Sequence, residues 1–133
     1  MSLLFDFLDK RPLIIALAGS NGAGKSTFYD SYGEKVDQLA SYEALGYTVV
    51  LIFIRIESPD ESIKRVAMRA SQGEHDVPDA KLRARFARTQ ANLKRAIQRL
   101  PHVIVYSNED LGNPYQFVAH YENGQMIERG TTP

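Results

Sequence analysis

Residues 16–30, ALAGSNGAGKSTFYD, decide the reading of this chain. They run from an apolar stretch through a glycine loop into a helix-like segment. Gly19-Ser20-Asn21-Gly22-Ala23-Gly24-Lys25-Ser26 fits the pattern G-x-x-x-x-G-K-[ST] at every fixed position. Glycines let a backbone turn tightly and aim successive N–H groups inward as an anion nest. A helix opening near Gly24 adds the positive end of its dipole. Lys25 would bring a mobile cation to the β- and γ-phosphates of a nucleotide, and the Ser26 hydroxyl is a hard oxygen ligand for Mg²⁺. Thr27 is placed to reach the α-phosphate. The loop therefore predicts ATP and Mg²⁺ as cofactors, held by residues 19–27.

The flanks support that context. Residues 12–18, PLIIALA, are continuously apolar, the composition of a strand buried on both faces. Residues 25–31 read as the first turns of a helix. Residues 34–45 carry Val36, Leu39 and Leu45 at helical spacing, closed by Gly46. Residues 47–56, YTVVLIFIRI, are a second buried strand. Ser58 is an N-cap before Pro59, and Glu61 would complete a capping box. Ile63, Val66, Ala67 and Ala70 line one face of that helix. Pro78 opens a longer helix to about Leu100, with Leu82, Phe86, Leu93, Ile97 and Leu100 inward. Lys81, Arg85, Arg88, Asn92, Arg95 and Arg99 fall on the opposite side. Residues 102–106 are a third strand. Residues 116–121 and 125–129 flank Asn123-Gly124, a strong hairpin signal. The expected fold is α/β: a P-loop NTPase-type parallel sheet flanked by helices, with a C-terminal β-hairpin, in one domain over 1–133.

Composition sets the bounds. The chain has 133 residues, no cysteine and zero formal net charge. A disulfide scaffold and a cysteine-based zinc site are excluded, and the chain suits a reducing cytoplasm. The start does not read as a signal peptide, and no apolar run is long enough to span a membrane. The charge is unevenly spread. Residues 61–100 hold ten basic and four acidic residues. Such a block on a neutral protein points to a local anionic ligand. Arg65 and Arg69 are four apart, and Arg85 and Arg88 repeat the arrangement beyond a Gly/His/Pro linker that contains His75. Two such helices make a lid over phosphates, spanning about 58–100. Nucleic-acid binding is disfavoured, because aromatic interleaving is limited to Phe86. His102 and His120 lack metal-ligand spacing.

Three stretches together, RPLIIALAGSNGAGKSTFY, GYTVVLIFIRIESPDESIKRVAMRASQGEHDVP and KLRARFARTQANLKRAI, resemble the zeta-toxin-like P-loop kinases, in particular their bacterial ATPase-annotated branch. The likeness covers most of residues 11–120. It implies that Lys25 and Ser26 bind ATP–Mg²⁺ and that Arg69 and Arg85, with Arg65 and Arg88 behind them, are lid arginines on the phosphates. It implies phosphoryl transfer to a hydroxyl of a nucleotide-sugar-like small molecule, and an antitoxin protein as partner. The chain also departs from the family. After the P-loop helix, neither the N-A-D-like segment with its catalytic aspartate nor the S-F-x-x-E-T-like substrate segment is present, and residues 31–33, Ser-Tyr-Gly, look like a seam. The strand at 47–56 ends in Arg55 and Ile56 with Glu57 beyond. The strand at 102–106 ends in Ser107-Asn108-Glu109. Asp30 should point away from the γ-phosphate, so no general base is evident. The alternative is a non-catalytic or weakly hydrolytic ATP-binding module, a remnant of that fold.

Overall fold

The computed structural model describes residues 12–19, 34–71 and 78–130. Five strands and three helices follow in the order β1 (Leu13–Gly19), α1 (Glu34–Ala44), β2 (Thr48–Arg55), α2 (Pro59–Ser71), α3 (Asp79–Arg99), β3 (His102–Ser107), β4 (Gln116–Glu122) and β5 (Gln125–Arg129). The strands form one sheet in the order β1-β2-β3-β4-β5. β1, β2 and β3 are parallel; β4 and β5 are antiparallel additions. The expected parallel sheet is thus the first part of a mixed α/β sheet, and the C-terminal hairpin extends it.

Alternation along the strands sorts the core. Leu51, Phe53, Val103 and Val105 meet Val36 of α1 and Leu93, Ala96 and Leu100 at the end of α3. This helical layer is pinned by charge. Asp37 of α1 accepts hydrogen bonds from Arg95, at 2.9 Å, and from Arg99 on α3. The Arg95 hydrogen bond is the main reason that the Asp37 carboxyl is held below its usual range. Val50, Ile54 and Ile104 are buried on the opposite face.

Local signals act as the sequence suggests. Gly46 adopts φ 97°. Its N–H reaches Glu43 O at 3.0 Å and the Tyr47 N–H reaches Tyr42 O at 3.2 Å, the paired bonds that end a helix at a left-handed residue. Asn123 and Gly124 take φ 51° and 86°, the two positive values that a tight two-residue hairpin demands.

Four expectations change. Leu45 lies beyond the last turn of α1 and is 73% exposed, because the chain has already turned at Gly46. Among the described side chains of α2 the buried ones are Ser62, Arg65 and Val66, and Ala67 faces outward, because α2 packs on α3 and hydrogen-bonds the turn after β3. Asn92 is buried, next to Leu93 and one turn from Thr89 and Ala96 on the inward side of α3. Among the described residues β1 is not covered on both faces. It is an edge strand, and Leu13, Ile15 and Leu17 are 41%, 51% and 50% exposed.

The hairpin also brings His102 and His120 together, Nδ1 to Nε2 at 3.3 Å, both buried. Burial pushes the His120 imidazole below its ordinary 6.5, against the opposing pull of Glu122 and Glu128. Two measurements test this layer. Gly46→Ala should lower stability by about 1 kcal/mol in urea unfolding, from backbone strain alone, since a Cβ there meets nothing within 4 Å. In the unfolded chain His120 takes up a proton near 6.5. The folded chain resists it, so stability should fall as pH drops below that value and level off once the folded imidazole protonates. His120→Gln should remove that part of the slope in urea midpoints measured across the same range.

Candidate functional site

Ligands of open α/β sheets gather outside the carboxyl ends of the parallel strands. Here those ends are Gly19, Arg55 and Ser107. Gly19 closes β1 and pairs in register with Ile54 of β2. It is the first residue of the glycine loop. Ser20, Asn21, Gly22, Ala23, Gly24, Lys25, Ser26 and Thr27, with Asp30 and residues 31–33, lie outside the described residues, as does His75.

Next to Gly19 a polar network crosses the strand ends. Arg55 pairs in register with Ser107, and the Asn108 N–H continues the ladder to Arg55 O at 2.9 Å. The Arg55 guanidinium meets Glu57 at 2.6 Å. The Glu57 N–H donates to Glu109 Oε2 at 2.8 Å, and the Glu109 N–H donates to Ser107 Oγ at 3.3 Å. α2 locks this corner from behind. Ser58 Oγ accepts the Glu61 N–H at 3.1 Å, so half of the expected capping box forms. The Glu61 carboxylate turns instead to Arg65 Nε at 2.7 Å. Arg65 is buried and donates to Asn108 O and Glu109 O, each at 2.7 Å.

In front of this corner lies a cavity of about 450 Å³. Arg55, Glu57, Ser107 and Glu109 form its parallel-strand side; Gln116, Phe117, Val118, Arg129 and Gly130 form its hairpin side. The volume is that of a small-molecule site. Two backbone features shape the hairpin wall. Tyr115 enters β4 at φ 56°, rare for an aromatic residue. Gly130 lets the backbone close on β4: its N–H reaches Val118 O at 2.8 Å, and a Cβ there would collide with the Phe117 carbonyl.

The arginines chosen from the sequence separate. Arg65 is spent on Glu61 and two carbonyls. Arg85 and Arg88 are half-buried on α3. Arg69 belongs to α2 by its backbone, and its side chain lies outside the described residues. α2 and α3 do pack on one another, and Arg83 bridges to Asp60 at 2.6 Å between them. The sequence reading missed Gln116 and Arg129. The available signal was the strand-end rule itself: Arg55, Glu57, Ser107 and Glu109 were visible as strand-final residues, and the Asn123-Gly124 turn brings the end of β5 back toward them. Among the described residues no group of three or more His, Asp or Glu could hold a metal ion, and no helix is long and apolar enough to cross a membrane.

Comparison with protein-family models, with curated proteins and with solved structures returns no match.

Arg65 is the group on which this corner can be tested. Arg65→Met should cost about 3 kcal/mol in denaturant unfolding, because two carbonyls and Glu61 lose a buried cationic donor. Arg65→Lys should recover only part of that, since one ammonium cannot reproduce the guanidinium fork.

Proposed function

We propose that the chain is an ATP-dependent small-molecule kinase of the zeta-toxin type. One observation carries the reading: β1, the first strand of a parallel β1-β2-β3 arrangement, ends at Gly19, and the sequence that follows is the complete G-x-x-x-x-G-K-S phosphate loop. Strand, glycine loop and helix-forming sequence in that order is the context the motif requires. In this reading residues 19–27 cradle the phosphates. Lys25 sits on the β- and γ-phosphates, and Ser26 holds Mg²⁺. That donor chemistry is consistent with the ion: one hydroxyl, phosphate oxygens and water make an all-oxygen set, with no carboxylate cluster needed. Arg69 and Arg85, supported by Arg88, bring positive charge to the migrating phosphoryl group, and positioning plus charge is most of what such transfer asks of a protein. The acceptor is a hydroxyl of a nucleotide-sugar-like molecule, the setting is cytoplasmic, and an antitoxin protein is the proposed partner.

A second reading is a nucleotide-binding module that binds ATP without transferring it. The strand ends favour it. Glu57, the acid closest beyond β2, is paired with Arg55, and Glu109 beyond β3 holds the Glu57 N–H. Each carboxylate thus has one oxygen engaged by a neighbour at the strand ends.

Calorimetry with ATP–Mg²⁺ decides the shared part. Lys25→Ala should weaken ATP by about tenfold or more, the worth of a lost charge-assisted contact. Equal affinity in wild type and variant rejects the loop as a nucleotide site. Radiolabelled γ-phosphate appearing on a nucleotide sugar then selects the kinase over the module.

A further inference from the structure

The cavity between the strand ends and the hairpin is lined by two arginines and two glutamates, and these charges are not all spent on one another. Arg55 is matched by Glu57. Glu109 uses Oε2 on the Glu57 N–H and leaves its other oxygen open. Arg129, at the end of the exposed strand β5, enters no ion pair among the described residues. The Arg55 Nε–H is buried without a hydrogen-bond partner. The site therefore presents unspent donors, chiefly the Arg129 guanidinium, and one unspent carboxylate oxygen within a single small cavity.

We propose that this cavity binds a small zwitterion of the α-amino-acid class. Its carboxylate sits on Arg129, and its ammonium sits on Glu109. Charge arithmetic selects this ligand class. A phosphate or simple anion gains from Arg129 and loses against Glu109. A simple cation does the reverse. Only a ligand with both signs gains at both ends, and a charge-assisted guanidinium–carboxylate contact is among the stronger polar interactions available. Phe117 and Val118 give the ligand side chain an apolar wall. Ser107 and Gln116 offer a hydroxyl and an amide for orientation. The volume of about 450 Å³ admits one amino acid with room for its side chain. The site is also pre-organised. Glu109 is fixed through its own N–H by Ser107, through its carbonyl by Arg65 and through its carboxylate by the Glu57 N–H. Holding an acceptor in place before the ligand arrives removes ordering cost from binding. The proposal stands on the strand ends and the hairpin, and does not depend on what the glycine loop holds.

The test is an amide-resolved NMR titration of the intact protein with each proteinogenic amino acid singly. The tightest of them is then compared with its decarboxylated amine, its deaminated acid and inorganic phosphate. The expected result is saturable shifts at residues 55–57, 107–109, 116–118 and 129–130 for at least one amino acid, with the amine, the acid and phosphate each weaker by about tenfold or more. Arg129→Gln should weaken the amino acid about tenfold and leave the amine unchanged; Glu109→Gln should weaken it similarly and leave the acid unchanged. Lys25→Ala should leave these affinities intact while weakening ATP binding, which separates this site from the nucleotide reading. The proposal is overturned if no amino acid shifts these residues in protein with a dispersed spectrum. It is equally overturned if phosphate or either half-ligand binds as tightly, or if both pocket variants bind like wild type.

Discussion

One buried cation organises the carboxyl edge of the sheet. Arg65 reaches from α2 into the turn after β3 and answers two carbonyls there, Asn108 O and Glu109 O, while Glu61 balances its charge one helical turn back. A guanidinium is suited to this, since its planar fork can serve several acceptors at once. Without it the Asn108–Glu109 backbone would be left partly unsatisfied beneath α2. With it Glu109 is aimed forward, Glu57 is held, and Arg55 is drawn into its pair with Glu57. The helix start matters to the same end. Ser58 fixes the first turn of α2, which sets the height at which Glu61 and Arg65 arrive.

What could be read in advance divides along the range of the forces involved. Gly46, Ser58-Pro59 and Asn123-Gly124 act within a few residues of themselves, and each does in space what its chemistry promises. The apolar runs at 48–55 and 102–107 likewise carry their strand character locally. Burial is a different matter, because it belongs to pairs. Leu45 fits the apolar spacing of α1 yet lies past its turn. Asn92 looks like solvent-side sequence yet is buried on α3. Arg65 reads as one more cation of a basic helix and proves to be the core of a hydrogen-bond network. His102 and His120 are 18 residues apart and meet only because β4 folds back on β3. The pocket shows the same division. Its parallel-strand half was visible as strand-final residues, whereas Arg129 joins it through a hairpin whose register no local pattern states. The glycine loop is the opposite case: its pattern is complete in the sequence, and of it only Gly19 lies among the described residues.

The two edges of the sheet are built on different principles. β5 is short, exposed at every residue, and carries Glu128 and Arg129. Charges and brevity are how natural sheets discourage further pairing. β1 has neither protection. Its sequence LIIALAG has no charge, and Leu13, Ile15 and Leu17 present half-exposed apolar side chains along one face. That composition suits an interior strand of a parallel sheet, which is why the run reads as buried on both faces.

The two proposed sites share β2. Gly19 faces Ile54 across one ladder, and Arg55, the next residue, faces Ser107 across the other. With strands about 4.8 Å apart, the start of the phosphate loop and the parallel-strand wall of the cavity are near neighbours along one sheet edge. Arg55 and Glu57 then have a position between them. As drawn, the pair closes on itself, and the Glu57 carboxylate faces a guanidinium rather than an acceptor hydroxyl. Phosphoryl transfer through a loose transition state asks more of positioning and positive charge than of a base. Under the proposed kinase reading, the engaged carboxylates at β2 and β3 therefore argue less against transfer than they would for a hydrolase built on a strong base, and the weight of catalysis would fall on Lys25, Arg69 and Arg85.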